Sequence, residues 1–271
     1  MELLVDVKMV IESKNIINIL KENIMSINID NFVWSFSRLN SFHGCKHAWY
    51  KSYVLKEKGV SNSFATYGTL VHQLFEDYTN GKFEVYELVD EFEKQYDSNV
   101  WDFPPNKYVD LCESYRNQGI EYFTSFEGFD EYNIIGTEKK INFEIEGYKF
   151  VGYIDSLMED EYNNMIVQDY KSKASFKSKK EKMEYTRQLY LYSVPLIEEY
   201  KKNPSKLIFN MFRKQKIEEI PFNIKDFEEA KKWALDTIES VSKEEEFPAT
   251  VNDFFCSQLC NFRYECEERL K

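Results

Sequence analysis

The chain is poor in the residues that make loose or membrane-bound architectures. Only 9 of its 271 residues are glycine and 6 are proline, which excludes long flexible linkers. No run of 18 apolar residues occurs, so no membrane-spanning helix is expected. The segment from Met1 to Glu12 carries Glu2, Asp6 and Glu12 with no basic stretch leading into an apolar block; a secretory leader is therefore not expected, and the protein is read as cytoplasmic. No Gly-x4-Gly-Lys-Ser/Thr loop is present, which excludes a nucleotide-driven motor of that type and leaves any unwinding to a partner. Positive charge is also short. A net charge of −12 argues against a generic nucleic-acid coat, although it leaves room for a local basic channel.

What is there is unevenly placed. Aromatic residues make up 17%, with 22 Phe and 19 Tyr. Residues 76–93 hold Glu76, Asp77, Glu84, Glu87, Asp90, Glu91 and Glu93 against Lys82 alone. Residues 171–187 reverse the sign, with Lys171, Lys173, Lys177, Lys179, Lys180, Lys182 and Arg187 against two acids. A phosphate backbone needs such a basic stretch, and Lys173, Lys177, Lys179, Lys180 and Arg187 are the candidate nucleic-acid contacts. Trp49, Tyr50, Tyr53 and Tyr67 are candidate base-stacking residues. Of the five cysteines, Cys256, Cys260 and Cys266 fall in the tail, while Cys45 lies more than two hundred residues earlier. In a reducing compartment these are not a disulfide framework.

Periodicity divides the chain. Residues 1–13 alternate like a strand and 14–27 look helical. From Ser35 apolar residues recur at helical spacing, with Ser35 or Ser37 as N-cap. Gly68 to Tyr78 predicts a helix with His72 in its first turns, and residues 84–126 read as helical, broken at Pro104 and Pro105. The period then becomes two over 133–145, 148–158 and 164–170, giving a meander with turns at Glu146–Gly147 and Asp160 to Asn164. A helix over 178–201, a strand over 207–213 and a helix over 225–243 follow. The order fits one α/β domain.

The chemistry concentrates in the meander. Asp155 closes the run Gly152-Tyr-Ile-Asp155 and is expected at a strand end, and Asp169 is expected at the end of the next strand. Asp169 and Lys171 are two apart and share a face. Phosphodiester hydrolysis needs an activated water and charge neutralisation, which divalent ions supply, and Mg²⁺ takes carboxylate oxygens. Lys171 can orient or deprotonate the attacking water and offset developing charge. Gln188 and Tyr192, four apart on the following helix, can reach the same place. Glu138 leads into the first strand, and His72 is a further ligand candidate. Glu76 reads as structural, His43 and His47 as surface or packing residues, and Cys112 as an ordinary buried thiol. Four thiolates, from Cys45, Cys256, Cys260 and Cys266, can hold a [4Fe–4S] cluster or a Zn²⁺.

The series Gly68-Thr-Leu-Val-His72, Gly152-Tyr-Ile-Asp155, Asp169-Tyr-Lys171-Ser172 and Gln188-Leu-Tyr-Leu-Tyr192 resembles the PD-(D/E)XK nuclease superfamily in its RecB-like branch. The segment Ser35 to Tyr53 with Cys45, together with the cysteine-rich tail, is similar to the iron–sulfur subgroup that includes the CRISPR-associated exonuclease and the AddB-type nuclease domain. The resemblance covers about residues 34–269. It implies an α/β, restriction-endonuclease-like core: a central mixed β-sheet flanked by helices, with an N-terminal helical part and a C-terminal Cys-rich tail. It further implies an N-terminal extension over 1–33 and a nuclease domain over 34–271. By it, His72, Asp155, Asp169 and the Tyr170 carbonyl ligate Mg²⁺ or Mn²⁺. Lys171 is the catalytic lysine, Gln188 and Tyr192 support the site, and the four cysteines hold a [4Fe–4S] cluster. The subgroup spaces its late cysteines Cys-x2-Cys-x5-Cys, whereas this chain has Cys-x3-Cys-x5-Cys.

The function expected is a metal-dependent DNA nuclease, a single-strand exonuclease or end-processing enzyme. Its partners would be DNA with single strands or free ends, and a helicase, recombinase or CRISPR-adaptation protein. The rival from another class is a DNA-binding or interaction module of the same fold without turnover, and an RNA-directed nuclease is a third reading.

Overall fold

The computed structural model describes residues 29, 31–129 and 131–270. The strand expected over 1–13 and the helix over 14–27 lie outside them. Within them a six-stranded mixed sheet is flanked by helices, the α/β architecture expected.

A two-residue strand β1 (Val33–Trp34) opens the described chain, followed by α1 (Phe36–Gly44) and α2 (Lys46–Tyr53). Ser35 caps α1, its hydroxyl accepting from the Arg38 N–H at 3.2 Å. Helices α3 (Ser63–Thr79), α4 (Leu88–Asn99) and α5 (Leu111–Ser125) form a separate aromatic-rich module. Helix α3 begins five residues earlier than its periodicity predicted, because the Asn62 side chain caps it by accepting from the Ala65 N–H. In this module α5 presses Gly119 onto Phe92 of α4; a Cβ there would lie 2.1 Å from Phe92 Cζ.

Strands β2 (Asn133–Ile145), β3 (Tyr148–Glu159) and β4 (Met165–Tyr170) form the expected meander. The β2–β3 turn has φ of 47° at Glu146 and 81° at Gly147, the left-handed pair that suits a tight two-residue hairpin. Helix α6 (Lys179–Tyr200) crosses back to β5 (Lys206–Met211), parallel to β4. An edge strand β6 (Lys216–Pro221), absent from the periodic reading, pairs antiparallel with β5 before α7 (Ile224–Ser242). A π-turn (Phe255–Leu259) and the short α8 (Glu267–Leu270) end the chain.

Strand β3 forks. Along one edge it pairs with β2 over its whole length. Along the other it pairs with β1 at Lys149 and Phe150 and with β4 only from Ser156 to Glu159. Asp155, expected at a strand end, therefore lies inside a strand, at the point where β4 departs. The main core fills the face beneath α1, α2, α6 and α7, and the module of α3, α4 and α5 closes over Tyr170 and Phe212 on the other face. Strand β4, the run Met165 to Tyr170, is buried at every position because it has a core on each side.

Trp49 and Tyr67 are fully buried in these cores, Tyr50 lies against Phe247 with ring centroids 4.9 Å apart, and Tyr53 lies under Arg38. The stacking role expected for these four aromatics is therefore corrected: packing occupies their faces. Cys112 is only half-buried at the edge of the helical core.

Gly119→Ala is expected to lower unfolding free energy by about 1–3 kcal/mol through overpacking against Phe92. Urea denaturation measures this, and an unchanged midpoint would contradict the close approach.

Candidate active site

The fork assembles the site. Where the β3–β4 ladder stops, the Asp155 carboxylate takes the place of a backbone acceptor: its Oδ2 accepts the Tyr170 N–H at 2.7 Å. Register also brings Glu138 to it. The flanking pairs Thr137↔Ser156 and Lys139↔Ile154 place Glu138 opposite Asp155 across β2–β3. Glu138 has φ of 46°, a left-handed conformation costing roughly 1–3 kcal/mol for a non-glycine residue. His72 comes from α3 above. Its Nδ1 lies 3.3 Å from Glu138 Oε1 and 3.6 Å from Asp155 Oδ2, and its Nε2 lies 3.2 Å from the Tyr170 carbonyl. Donor atoms of His72, Glu138 and Asp155 all fall within 4.8 Å of one another.

Asp169 stands beside this cluster, pointing to the α6 face. Its Oδ2 pairs with Lys171 Nζ at 2.6 Å, and its Oδ1 accepts from Gln188 Nε2 at 2.7 Å. Lys171 Nζ also donates to Gln188 Oε1 at 3.0 Å, closing a triangle of Asp169, Lys171 and Gln188. The same Gln188 amide lies 3.3 Å from the Tyr192 hydroxyl. Tyr192 in turn packs against Gly152, where a Cβ would fall 2.5 Å from Tyr192 Cε1. Gly152 is thus required by the close approach of α6 to β3. The Tyr170 ring points the other way and stacks on Phe75 of α3, with centroids 4.4 Å apart and planes 3° apart.

The electrostatics follow from crowding three carboxylates and an imidazole into a largely buried place. Burial raises the Asp155 pKa, the Asp169 charge raises it further, and His72, Lys171 and the Tyr170 N–H pull it back. Burial works against a charged His72, but Asp155, Glu138 and Asp169 outweigh it and hold the imidazole pKa at about 9. A cation in place of that proton relieves the same excess of negative charge, so the arrangement is chemically suited to a divalent ion.

The residues expected from the sequence divide into two groups. His72, Asp155, Asp169, Lys171, Gln188, Tyr192 and the Tyr170 carbonyl converge. Glu138, matched only loosely beforehand, belongs with them. Counting back from the Glu146–Gly147 turn pairs it with Asp155, so the signal was in the hairpin register. The basic candidates scatter. Lys173 and Lys177 line a groove beside Lys171. Lys173 also pairs with Glu181 at 2.6 Å. Lys180 is 4.0 Å from Glu184. Lys179 and Arg187 line a different pocket between α6 and α7, where Arg187 lies over Trp233. Cys45, Cys256, Cys260 and Cys266 line one small cavity.

The PD-(D/E)XK nuclease superfamily matches residues 33–267, and the chain belongs to that superfamily. No curated protein matches the chain. Among solved structures, the fold is similar to that of the Eubacterium rectale protein named "Putative exonuclease". The TM-score is 0.52 at 15% identity, over 88% of this chain and 87% of that one. SSO0001 overlaps 75% of this chain and 96% of its own at 18% identity, with a TM-score of 0.32. No helix among the described residues is long and apolar enough to cross a membrane.

The His72 shift makes the metal-free protein pH-sensitive. An unfolded His titrates near about 6.5, whereas folded His72 holds its proton to about 9. Its stabilisation is complete below the lower value and is lost as pH rises through the upper one. Melting temperatures in EDTA are expected to fall between these two pH values, and His72→Asn is expected to flatten the decline. Parallel profiles for the two proteins would contradict the assignment.

Proposed function

We propose that this member of the superfamily is a divalent-metal-dependent deoxyribonuclease that processes single strands from an end, in the RecB-like branch that carries an iron–sulfur cluster. The carrying observation is the juxtaposition of His72, Glu138 and Asp155 with the triangle of Asp169, Lys171 and Gln188.

The donor set fits Mg²⁺ or Mn²⁺: two carboxylates and one imidazole within reach of one ion, with Asp169 and the Tyr170 carbonyl beside them. When bound, such an ion polarises the scissile phosphate and acidifies water. This chain's residues do the rest. Asp155 and Glu138 supply the negative charge that retains the ion. The Lys171 ammonium, held by Asp169 and Gln188, would offset the charge that builds on the phosphate oxygens. Gln188 keeps Asp169 and Lys171 in register, and Tyr192 on Gly152 keeps Gln188 in place. Water adds to phosphorus and gives up a proton, the P–O bond to the sugar breaks, and the leaving sugar oxygen takes up a proton, so one water is consumed for each bond broken.

The cysteine cavity supports the cluster. The tail is tied to the start of the fold by hydrogen bonds from Val60 N–H to the Asn261 carbonyl, from Asn62 to the Leu259 carbonyl, and from Arg263 to the Val60 and Ser61 carbonyls. Cys256 lies within the π-turn and Cys260 follows it, the turn being closed by Cys260 N–H donating to the Phe255 carbonyl at 2.8 Å. A π-turn holds one residue more than an α-turn. It accommodates the extra residue of Cys-x3-Cys and leaves both thiols at one cavity. Residues 34–271 then act as one nuclease domain stapled at both ends, and a helicase, recombinase or CRISPR-adaptation partner delivers the single strand.

A labelled single-stranded oligonucleotide is expected to shorten with Mn²⁺ and to stay intact with EDTA. Lys171→Ala is expected to cost about 10²–10³-fold in rate with an unchanged circular dichroism spectrum. Retained activity in that variant would contradict the mechanism, and retention of the strand without shortening would favour a binding module. Protein purified without oxygen is expected to be brown, with a broad visible-edge absorbance that Cys260→Ser removes; a colourless protein would contradict the cluster.

A further inference from the structure

Two grooves meet at Ser172, and their charges are opposite. One runs along α3 past His72, Gln73, Glu76 and Glu138, with no Lys or Arg in its lining among the described residues. The other, about 630 Å³, is lined by Lys171, Lys173, Lys177 and Arg213 and, among the described residues, by no carboxylate. Lys171 and Lys173 are answered by Asp169 and Glu181, which lie outside that lining, but Lys177 and Arg213 have no ion pair among the described residues, and in a chain of net charge −12 this points to an anionic ligand.

Arg213 is held by neutral partners. It leaves the end of β5 half-buried, with its guanidinium 3.8 Å from the centre of the Tyr115 ring. Its Nε donates to Gln118 Oε1 at 2.8 Å and its Nη1 to the Ser172 carbonyl at 3.2 Å, both neutral acceptors. Lys177 is exposed on the same groove, whereas Lys173 already answers Glu181. The opposite wall comes from the cysteine tail: Phe254 stands 58% exposed there, next to Leu259, and Phe64 of α3 completes it.

We propose that this groove seats a single nucleic-acid strand leading away from the reacting phosphate, with Arg213 and Lys177 holding successive phosphates and Phe254 stacking on a base. It rests on the nuclease reading above. Stacking on Phe254 needs an exposed base face, which an unpaired strand offers and a duplex interior does not. The acidic groove repels a backbone, so the strand extends to one side of the site only. This gives the enzyme a reason to work from an end. Of the basic contacts expected from the sequence, Lys177 serves in this groove, and Arg213, from outside that run, joins it.

The test is fluorescence anisotropy of a labelled single-stranded DNA oligonucleotide, and of its RNA counterpart, in EDTA from low to moderate salt. For single strands each phosphate contact contributes about 0.7 to the slope of log K against log salt. Arg213→Gln and Lys177→Gln are each expected to lower the slope by about 0.7, while Lys232→Gln on α7 leaves it unchanged. Phe254→Ala is expected to weaken single-strand binding about 5- to 150-fold, with the slope unchanged and duplex binding unaffected. Unaltered slopes in both cation variants, or wild-type affinity in Phe254→Ala, would overturn the proposal. Lys177 and Phe254 are exposed, so their variants keep the test valid if Arg213→Gln fails to fold. Cleavage in Mn²⁺ with unaltered slopes would overturn the groove and leave the nuclease reading standing. The expected slopes without cleavage would do the reverse. Comparison of the DNA and RNA arms identifies the strand.

Discussion

The 2.7 Å hydrogen bond from the Tyr170 N–H to Asp155 Oδ2 is the constraint on which the rest of the site depends. At Ser156 the β3–β4 ladder ends, and further back β3 pairs with β1 instead. A fork in a sheet leaves a backbone donor without a ladder partner, and a buried orphan donor is costly. The Asp155 carboxylate satisfies that donor and in return is held rigidly in the interior. A buried anion must itself be compensated. His72 from α3 and Lys171 from the end of β4 provide the nearby positive charge, and a divalent ion would complete it.

The surrounding elements read as supports for that one carboxylate. Strand β2 carries Glu138 across from it in a strained backbone conformation, and strain of this kind persists where the neighbouring structure over-determines it. Helix α6 approaches closely enough that only glycine fits at position 152, and Tyr192 and Gln188 transmit that contact to Asp169 and Lys171. The buried β4 divides the two sides. Asp169 serves the α6 face, and the Tyr170 ring locks onto Phe75 of the helix that bears His72.

Much of this was legible in the sequence. The meander, α6 and α7 announced themselves by period, and the residues at the site by type and spacing. Strand β6 escaped because an edge strand pairs on one side only. Its run Lys-Ile-Glu-Glu-Ile-Pro sets Ile217 and Ile220 three apart, which breaks the alternation of two. Strand β1 is two residues long, too short for any period. Asp155 was expected at a strand end because Gly152-Tyr-Ile-Asp155 stops its apolar run there. The run stops at a fork, and pairing with β2 carries the strand on. The aromatic residues misled for a simpler reason: position along the chain near a site does not say which way a ring faces, and both cores are built from them. The basic run divides between places, since Lys179 and Arg187 line a pocket between α6 and α7 while Lys173 and Lys177 line the groove beside Lys171, and Arg213 joins that groove from a different element.

Charge segregation links the fold to the activity proposed. The acidic side of the site concentrates ligands for a cation, the basic side concentrates partners for phosphate, and the cysteine tail lends Phe254 and Leu259 to the wall of the basic groove. Everything turns on whether the Asp155 fork holds a divalent ion. The most direct measurement is anomalous diffraction from crystals soaked in Mn²⁺. The account predicts a peak ligated by His72, Glu138 and Asp155. Density free of any peak there, or a Mn²⁺ bound only elsewhere on the acidic surface, would contradict it.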